Sequence, residues 1–124
     1  AANAGQMIPQ ALAVTVLTSD DTAAPHVAAE RMRMAMEAGC GGLVLAAEDL
    51  HDAFTLAPKM TRVVPGIRSA GGDTHDQARP ATPGEAISAG ADLLVVGRAV
   101  TQADDPVAAS ASIADEVRAT LALR

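Results

Sequence analysis

The chain has 124 residues, 49% of them apolar, a formal net charge of −6 and one aromatic residue, Phe54. That length bounds it to one domain or part of one. The acidic balance, without a basic stripe or stacking aromatics, argues against nucleic acid as a partner, and the apolar runs are too short to span a membrane.

Residues 1–10 read as a lead-in segment without a signal-peptide pattern. Four strand–helix units follow. Leu12 to Leu17 is a β-branched run closed by Thr18-Ser19-Asp20-Asp21, a polar cluster suited to capping a helix. Val27 to Ala38 carries apolar residues at helical spacing, and Gly39 stops it. Gly42 to Ala46 is the second strand and Glu48 to Leu56 the second, short helix. Thr61 to Ile67 is the third strand, followed by a Gly-rich loop from Ser69 to about Ala81. Thr82-Pro83-Gly84-Glu85 supplies an N-cap, a proline at the first helical position and a glutamate at the third. This third helix ends at Gly90. Leu93 to Val96 is the fourth strand, and Asp105-Pro106 opens a last helix that runs toward Arg124.

Ala38 to Leu45 repeats the spacing of Ala89 to Val96: helix end, tight turn, buried strand. Repeated βα units with wholly apolar strands imply parallel pairing under a layer of helices. The predicted fold is therefore α/β. It is a single (β/α)4 unit over residues 1–124, half of a TIM-type (β/α)8 barrel, with parallel strands and outer helices. The single cysteine, Cys40, excludes an intrachain disulfide and fits a reducing cytoplasm.

Arg98 directly follows Gly97, and Arg68 follows Gly66 with Ile67 between, each at a strand's C-terminal end, where α/β barrels place their sites. Two guanidinium groups on adjacent final strands, with a Gly-rich loop between, suit a phosphate. Taken singly, each would read as a surface arginine. Gln77 lies in that loop and can donate to one group while accepting from another. Thr18 either touches a ligand's polar edge or simply caps the first helix.

His26, His51 and His75 have no metal-binding spacing, so no metal site is expected. Ser19, Cys40 and Ser69 lack a nucleophile-elbow context. Asp20-Asp21, Glu48-Asp49 and Asp104-Asp105 stand at helix starts and read as caps. Met32, Met34 and Met36 read as core filling plus exposed surface. Lys59 is the sole lysine, and it precedes the third strand, away from the binding rim.

From Leu12 to about Ser110 the chain resembles the C-terminal half of bacterial orotidine 5′-phosphate decarboxylase. Val14-Thr15-Val16-Leu17-Thr18-Ser19 is similar to that family's fifth strand. Val64-Pro65-Gly66-Ile67-Arg68, with Gly71, Asp76-Gln77 and Arg79, resembles its seventh strand and phosphate loop. Thr82-Pro83 and Ala89-Gly90-Ala91-Asp92 resemble its seventh helix and the following turn. Val95-Val96-Gly97-Arg98-Ala99-Val100-Thr101-Gln102 resembles its eighth strand and the turn beyond. The resemblance implies that Arg68, Gln77, Gly97 and Arg98 contact the 5′-phosphate and that Thr18 lies near the pyrimidine or ribose. It also implies no metal or organic cofactor.

In that family the carbon losing carbon dioxide is protonated by a lysine, within a Lys/Asp network on strands two and three. No KxxDxxxxT-type counterpart stands in these 124 residues. The segment Ser19 to Pro25 is shorter than the family's fifth loop, Ala46-Ala47 replaces its usual Cys-Ser or Cys-Ala pair, and Pro80-Ala81 follows Arg79. The expected activity belongs to pyrimidine (UMP) biosynthesis, with this chain alone inactive and no catalytic residue of its own. The alternative is a non-catalytic phosphate-binding or self-associating half-barrel. Expected partners are a nucleoside monophosphate or a phosphate or sulfate ion, together with a second copy, a larger homo-oligomer or a separate N-terminal half.

Overall fold

A computed structural model describes Gly5, residues 7–71 and residues 78–124. Four strands, β1 (Leu12–Val14), β2 (Gly42–Val44), β3 (Thr61–Val64) and β4 (Leu93–Leu94), pair in chain order and wholly in parallel. Leu12 lies opposite Gly42, Gly42 opposite Thr61, and Val63 opposite Leu93. Between the strands run α1 (Pro25–Glu37), a 3-10 turn (Ala47–Asp49) leading into α2 (Leu50–Leu56), and α3 (Pro83–Ser88). After β4 come α4 (Arg98–Thr101) and α5 (Pro106–Ala122), which packs against α3 and α4.

The repeat in the sequence is a repeat in hydrogen bonding. Ala38 N–H donates to Met34 O, Gly39 to Met36 O and Cys40 to Ala35 O; Ala89, Gly90 and Ala91 donate in the same pattern to Glu85, Ile87 and Ala86. Gly39 at φ 79° and Gly90 at φ 110° occupy the left-handed region that a side chain disfavours. Each turn therefore delivers the chain straight into a strand beside its predecessor. The predicted capping box is present: Glu85 N–H donates to Thr82 Oγ1 at 3.2 Å, and Thr82 N–H donates to Glu85 Oε2 at 2.9 Å. Asp105 caps α5 by accepting from Ala108 N–H at 3.1 Å.

One face of the sheet carries the core. Leu43, Leu45 and Val64 are fully buried against Met32 of α1, Leu50 and Ala53 of α2 and Ala86 of α3. Each large apolar side chain buried there contributes roughly 1.5–3 kcal/mol. The other face leaves Leu12, Val14, Leu93 and Val95 43–56% exposed. Met32 is wholly buried while Met34 and Met36 are exposed, the division expected from their spacing.

Several boundaries differ from expectation. Every strand is shorter than its apolar run, and β3 stops before Pro65, which has no N–H to continue the ladder. The Thr18 to Asp21 cluster does not cap a helix. α1 starts at Pro25 with Ala24 as an N-cap that makes no side-chain hydrogen bond. Asp20 instead closes a local turn, accepting from Thr22 N–H and Oγ1, both at 2.8 Å. The four-residue helix α4 has no sequence signal beyond the glycine before it.

At the N-terminal ends of the strands Arg62 donates to Asp92 through its backbone N–H at 2.8 Å and its Nε at 3.1 Å, and its guanidinium lies 5.7 Å from the Phe54 ring centre. Burial works against the Asp92 carboxylate, but the bonds from Arg62 outweigh it and hold its pKa below the ordinary value. The folded pKa is thus depressed, so the pair's contribution is present above the usual carboxylate range and is lost as pH falls through the folded value. Asp92 is partly exposed. Asp92→Asn should therefore cost at most about 1 kcal/mol at neutral pH, and denaturation curves of the two proteins should converge below about pH 4.

Gly42 sits where β1, β2 and β3 meet. A Cβ there would lie 2.7 Å from both Leu12 Cδ2 and the Thr61 carbonyl oxygen. Gly42→Ala should destabilise by about 1–3 kcal/mol in chemical denaturation; an unchanged midpoint would contradict this packing.

Candidate functional site

Because all four strands are parallel, the segments that leave them gather on one rim. These are Thr15 to Thr18 after β1, Leu45 to Asp49 after β2, Pro65 to Arg68 after β3 and Val95 to Arg98 after β4. Among the described residues, the connection from β3 to α3 is tied to this rim at two places. At its stem, Arg68 N–H donates to Ala81 O at 2.9 Å and Ala81 N–H donates to Gly66 O at 3.2 Å. Gly66, at φ 74°, makes the turn that brings Arg68 into position. Further along, Arg79 N–H donates to Thr18 O at 3.0 Å, so the returning limb of the connection reaches past β2 to β1.

Arg68 is 6% exposed, and its Nη1 donates to its own Ile67 carbonyl at 2.7 Å. Its Nε is buried without a hydrogen-bond partner among the described residues, as are Arg62 Nη1 and Arg79 Nε. A cavity of about 180 Å³ adjoins it, lined among others by Ser69, Gly71, Pro80, Thr82 and Glu85. A buried, unpartnered guanidinium N–H costs about 1–3 kcal/mol, and an anion in the adjoining space is the chemistry that would relieve it.

The other expected site residues sit on the same rim but are not all drawn to this cavity. Thr18 is buried, and its carbonyl is taken by Arg79. Gly97 is the N-cap of α4 and Arg98 its first residue. Neither lines the cavity beside Arg68. Gln77 lies outside the described residues. Lys59 is exposed on the turn before β3, at the opposite end of the sheet. Among the described residues no group of three or more His, Cys, Asp or Glu side chains is placed to hold a metal ion, and no helix is long and apolar enough to cross a membrane.

Arg79 is the residue that reading the sequence passed over as a site residue. Its Nη1 donates to Glu48 Oε1 at 2.8 Å and Asp49 Oδ2 at 2.9 Å, and its Nη2 to the carbonyls of Leu17 at 3.0 Å and Val16 at 3.3 Å. Burial works against the charged guanidinium, yet the bonds to the two carboxylates outweigh it and raise its pKa above the ordinary value. Glu48 and Asp49 therefore hold an arginine, and neither caps α2 with a side-chain hydrogen bond. The available signal was an arginine in the Gly-rich connection together with an acidic pair, Glu48-Asp49, in another βα turn. A second cavity, of about 390 Å³, opens beside this cluster, with Asp20, Asp21 and Asp52 also on its walls.

Known proteins place this chain in a family. The profile of the Orotidine 5'-phosphate decarboxylase / HUMPS family matches residues 1–113. The chain belongs to that family. Relatives named orotidine 5'-phosphate decarboxylase include one from Anaeromyxobacter sp. (strain K), 46% identical over 83% of this chain and 50% of its own length. Another, from Thermobifida fusca, is 44% identical over 87% of this chain and 51% of its own length. The crystal structure of orotidine 5'-phosphate decarboxylase from Lactobacillus acidophilus superposes with a TM-score of 0.66 at 31% identity, covering 92% of this chain and 51% of that one. The enzyme from Sulfolobus solfataricus gives 0.69 at 26% identity, covering 89% and 49%. The chain thus spans about half the length of the curated relatives it matches, and its four βα units correspond to half of their barrel.

The buried Arg68 bears on the stability of the chain. Arg68→Met removes a buried charge with an unpaired donor while keeping most of the side chain's volume. Stability at neutral pH should be unchanged or rise by about 1 kcal/mol. A loss greater than that, measured by urea denaturation, would mean that the guanidinium is satisfied in the folded chain.

Proposed function

We propose that these residues are the phosphate-binding part of an orotidine 5'-phosphate decarboxylase-type site. On this reading Arg68, Gln77, Gly97 and Arg98 engage the phosphate of a nucleoside monophosphate, and Thr18 lies toward its ribose or base. The observation that carries the proposal is the buried Arg68 Nε–H, without a partner among the described residues, beside a cavity at the strand-end rim. A phosphate or sulfate ion would occupy the same place. Family membership makes pyrimidine biosynthesis the setting, and the single cysteine fits a cytoplasmic one.

Decarboxylation asks for more than a phosphate grip. The reacting carbon needs a proton donor and preorganised charges that strengthen in the transition state. Lys59, the sole lysine, stands at the far end of the sheet. We therefore assign this chain, tested alone, no decarboxylase turnover.

A second reading is favoured by the open face of the sheet. Leu12 and Val14 on β1, and Leu93 and Val95 on and just after β4, leave apolar surface that a barrel's remaining strands would cover. Edges of this kind invite pairing with another chain. A second copy could supply the cover, its β4 meeting this chain's β1 and its β1 meeting this chain's β4. A separate chain corresponding to the relatives' other half could supply it too.

Calorimetric titration of the purified chain with inorganic phosphate and with UMP should give saturable binding, weakened about tenfold or more in Arg68→Ala. Orotidine 5'-phosphate should remain unconverted in the same preparation. Absence of binding at millimolar phosphate would refute the site, and turnover abolished by Arg98→Ala would refute the inactivity. Light scattering at low micromolar concentration should give a mass above the 12.5 kDa of one chain.

A further inference from the structure

We propose that Arg79 is the positioning residue of this phosphate site, acting through Glu48 and Asp49. The inference rests on the phosphate reading above. One guanidinium here serves four acceptors on two different βα units: the Val16 and Leu17 carbonyls beyond β1, and the Glu48 and Asp49 carboxylates beyond β2. Its own backbone N–H is committed to Thr18 O. The limb that returns from the rim to α3 is thus fastened by main chain and side chain together. Two residues later Ala81 bonds back to Gly66, and Arg68 bonds to Ala81. The placement of Arg68 is coupled through that short stem to the ends of β1 and β2.

The second part of the role is electrostatic. The 390 Å³ cavity beside the cluster is walled by Asp20, Asp21, Glu48, Asp49 and Asp52, and among the described residues Arg79 is the one cation on its lining. Without it, the Glu48 and Asp49 carboxylates would lose the cation they are bonded to, and the strand-end side of β1 and β2 would carry a net negative charge that opposes an approaching anion. The influence of Arg79 extends beyond its direct partners. The Asp20 carboxyl is held below its ordinary range chiefly by Thr22, and the Arg79 charge adds to that effect. A lysine could keep the charge, but its point-like ammonium cannot span both carboxylates and both carbonyls as the planar fork does.

Two readouts on the 124-residue chain separate the tether from the charge. The first is amide hydrogen exchange at Arg68 and Ala81, with Leu43 and Val64 as core references. The second is the Kd for inorganic phosphate at low and at moderate ionic strength. Arg79→Ala should raise exchange at Arg68 and Ala81 about tenfold or more while the core references stay protected. It should also weaken phosphate binding about tenfold, with a smaller loss at higher salt. Adding Glu48→Gln and Asp49→Asn to Arg79→Ala should restore much of the affinity but none of the exchange protection. Arg79→Lys should keep part of the affinity and lose the protection, and it carries the test should Arg79→Ala expose the core references.

Wild-type exchange at the stem in both Arg79 variants would overturn the tether. A loss of affinity that Glu48→Gln and Asp49→Asn do not relieve would overturn the electrostatic part. A wild-type chain that binds no phosphate, with stem exchange still rising in Arg79→Ala, would sink the phosphate reading and the ligand role of Arg79 with it, leaving a structural tether alone.

Discussion

Parallel pairing in chain order is the constraint from which the rest follows. Once Leu12, Gly42 and Thr61 stand abreast, and Val63 beside Leu93, every strand must end on the same side. Each connection must then cross back over one face of the sheet. That crossing puts the helices where Leu43, Leu45 and Val64 need cover, and it leaves the opposite face to Leu12, Val14, Leu93 and Val95. It also collects the backbone groups that leave four strands, the Gly66-Ile67-Arg68 and Gly97-Arg98 segments and one acidic turn along a single rim. Local propensity alone does not explain this assembly. The strands are two to four residues long, too short to be stable apart from the helical layer they pack against.

Much of this architecture was legible in the sequence because its signals are local. Gly39 and Gly90 announce helix ends by the conformation they permit, and Thr82 to Glu85 carries its own hydrogen-bond partners within four residues. Apolar runs without alternation marked strands buried in a parallel sheet, and the repeat of Ala38 to Leu45 in Ala89 to Val96 proved to be a repeat of the same three hydrogen bonds. Where the strands end was less legible. The β-branched character of Val16 and of Ile67 continues past the point where pairing stops, and only Pro65 gives a local reason for a stop.

The site divides along the same line. That Arg68 and Arg98 would follow adjacent strands could be read from Gly66-Ile67-Arg68 and Gly97-Arg98 after the two apolar runs. That Arg68 folds back on its own Ile67 carbonyl with a buried, unpaired Nε could not, because it depends on the turn at Gly66 and on the bridge between Ile67 and Ala81. Arg79 was hidden for a related reason. Its partners Glu48 and Asp49 lie some thirty residues away, and in sequence they look like any acidic pair at a helix start. The Thr18 cluster misled in the opposite direction: its composition is that of a cap, yet Asp20 closes a turn with Thr22 and α1 begins only at Pro25.

The central proposal is that this rim holds a phosphate through Arg68, whose buried Nε–H has no partner among the described residues. The most direct test is NMR of the arginine Nε–Hε resonances while inorganic phosphate is added at constant ionic strength. The account predicts a saturable downfield shift of the Arg68 Hε signal as its missing acceptor arrives, with chloride at the same ionic strength producing none. An Arg68 signal that stays in place through millimolar phosphate while exposed arginines such as Arg118 shift would contradict it.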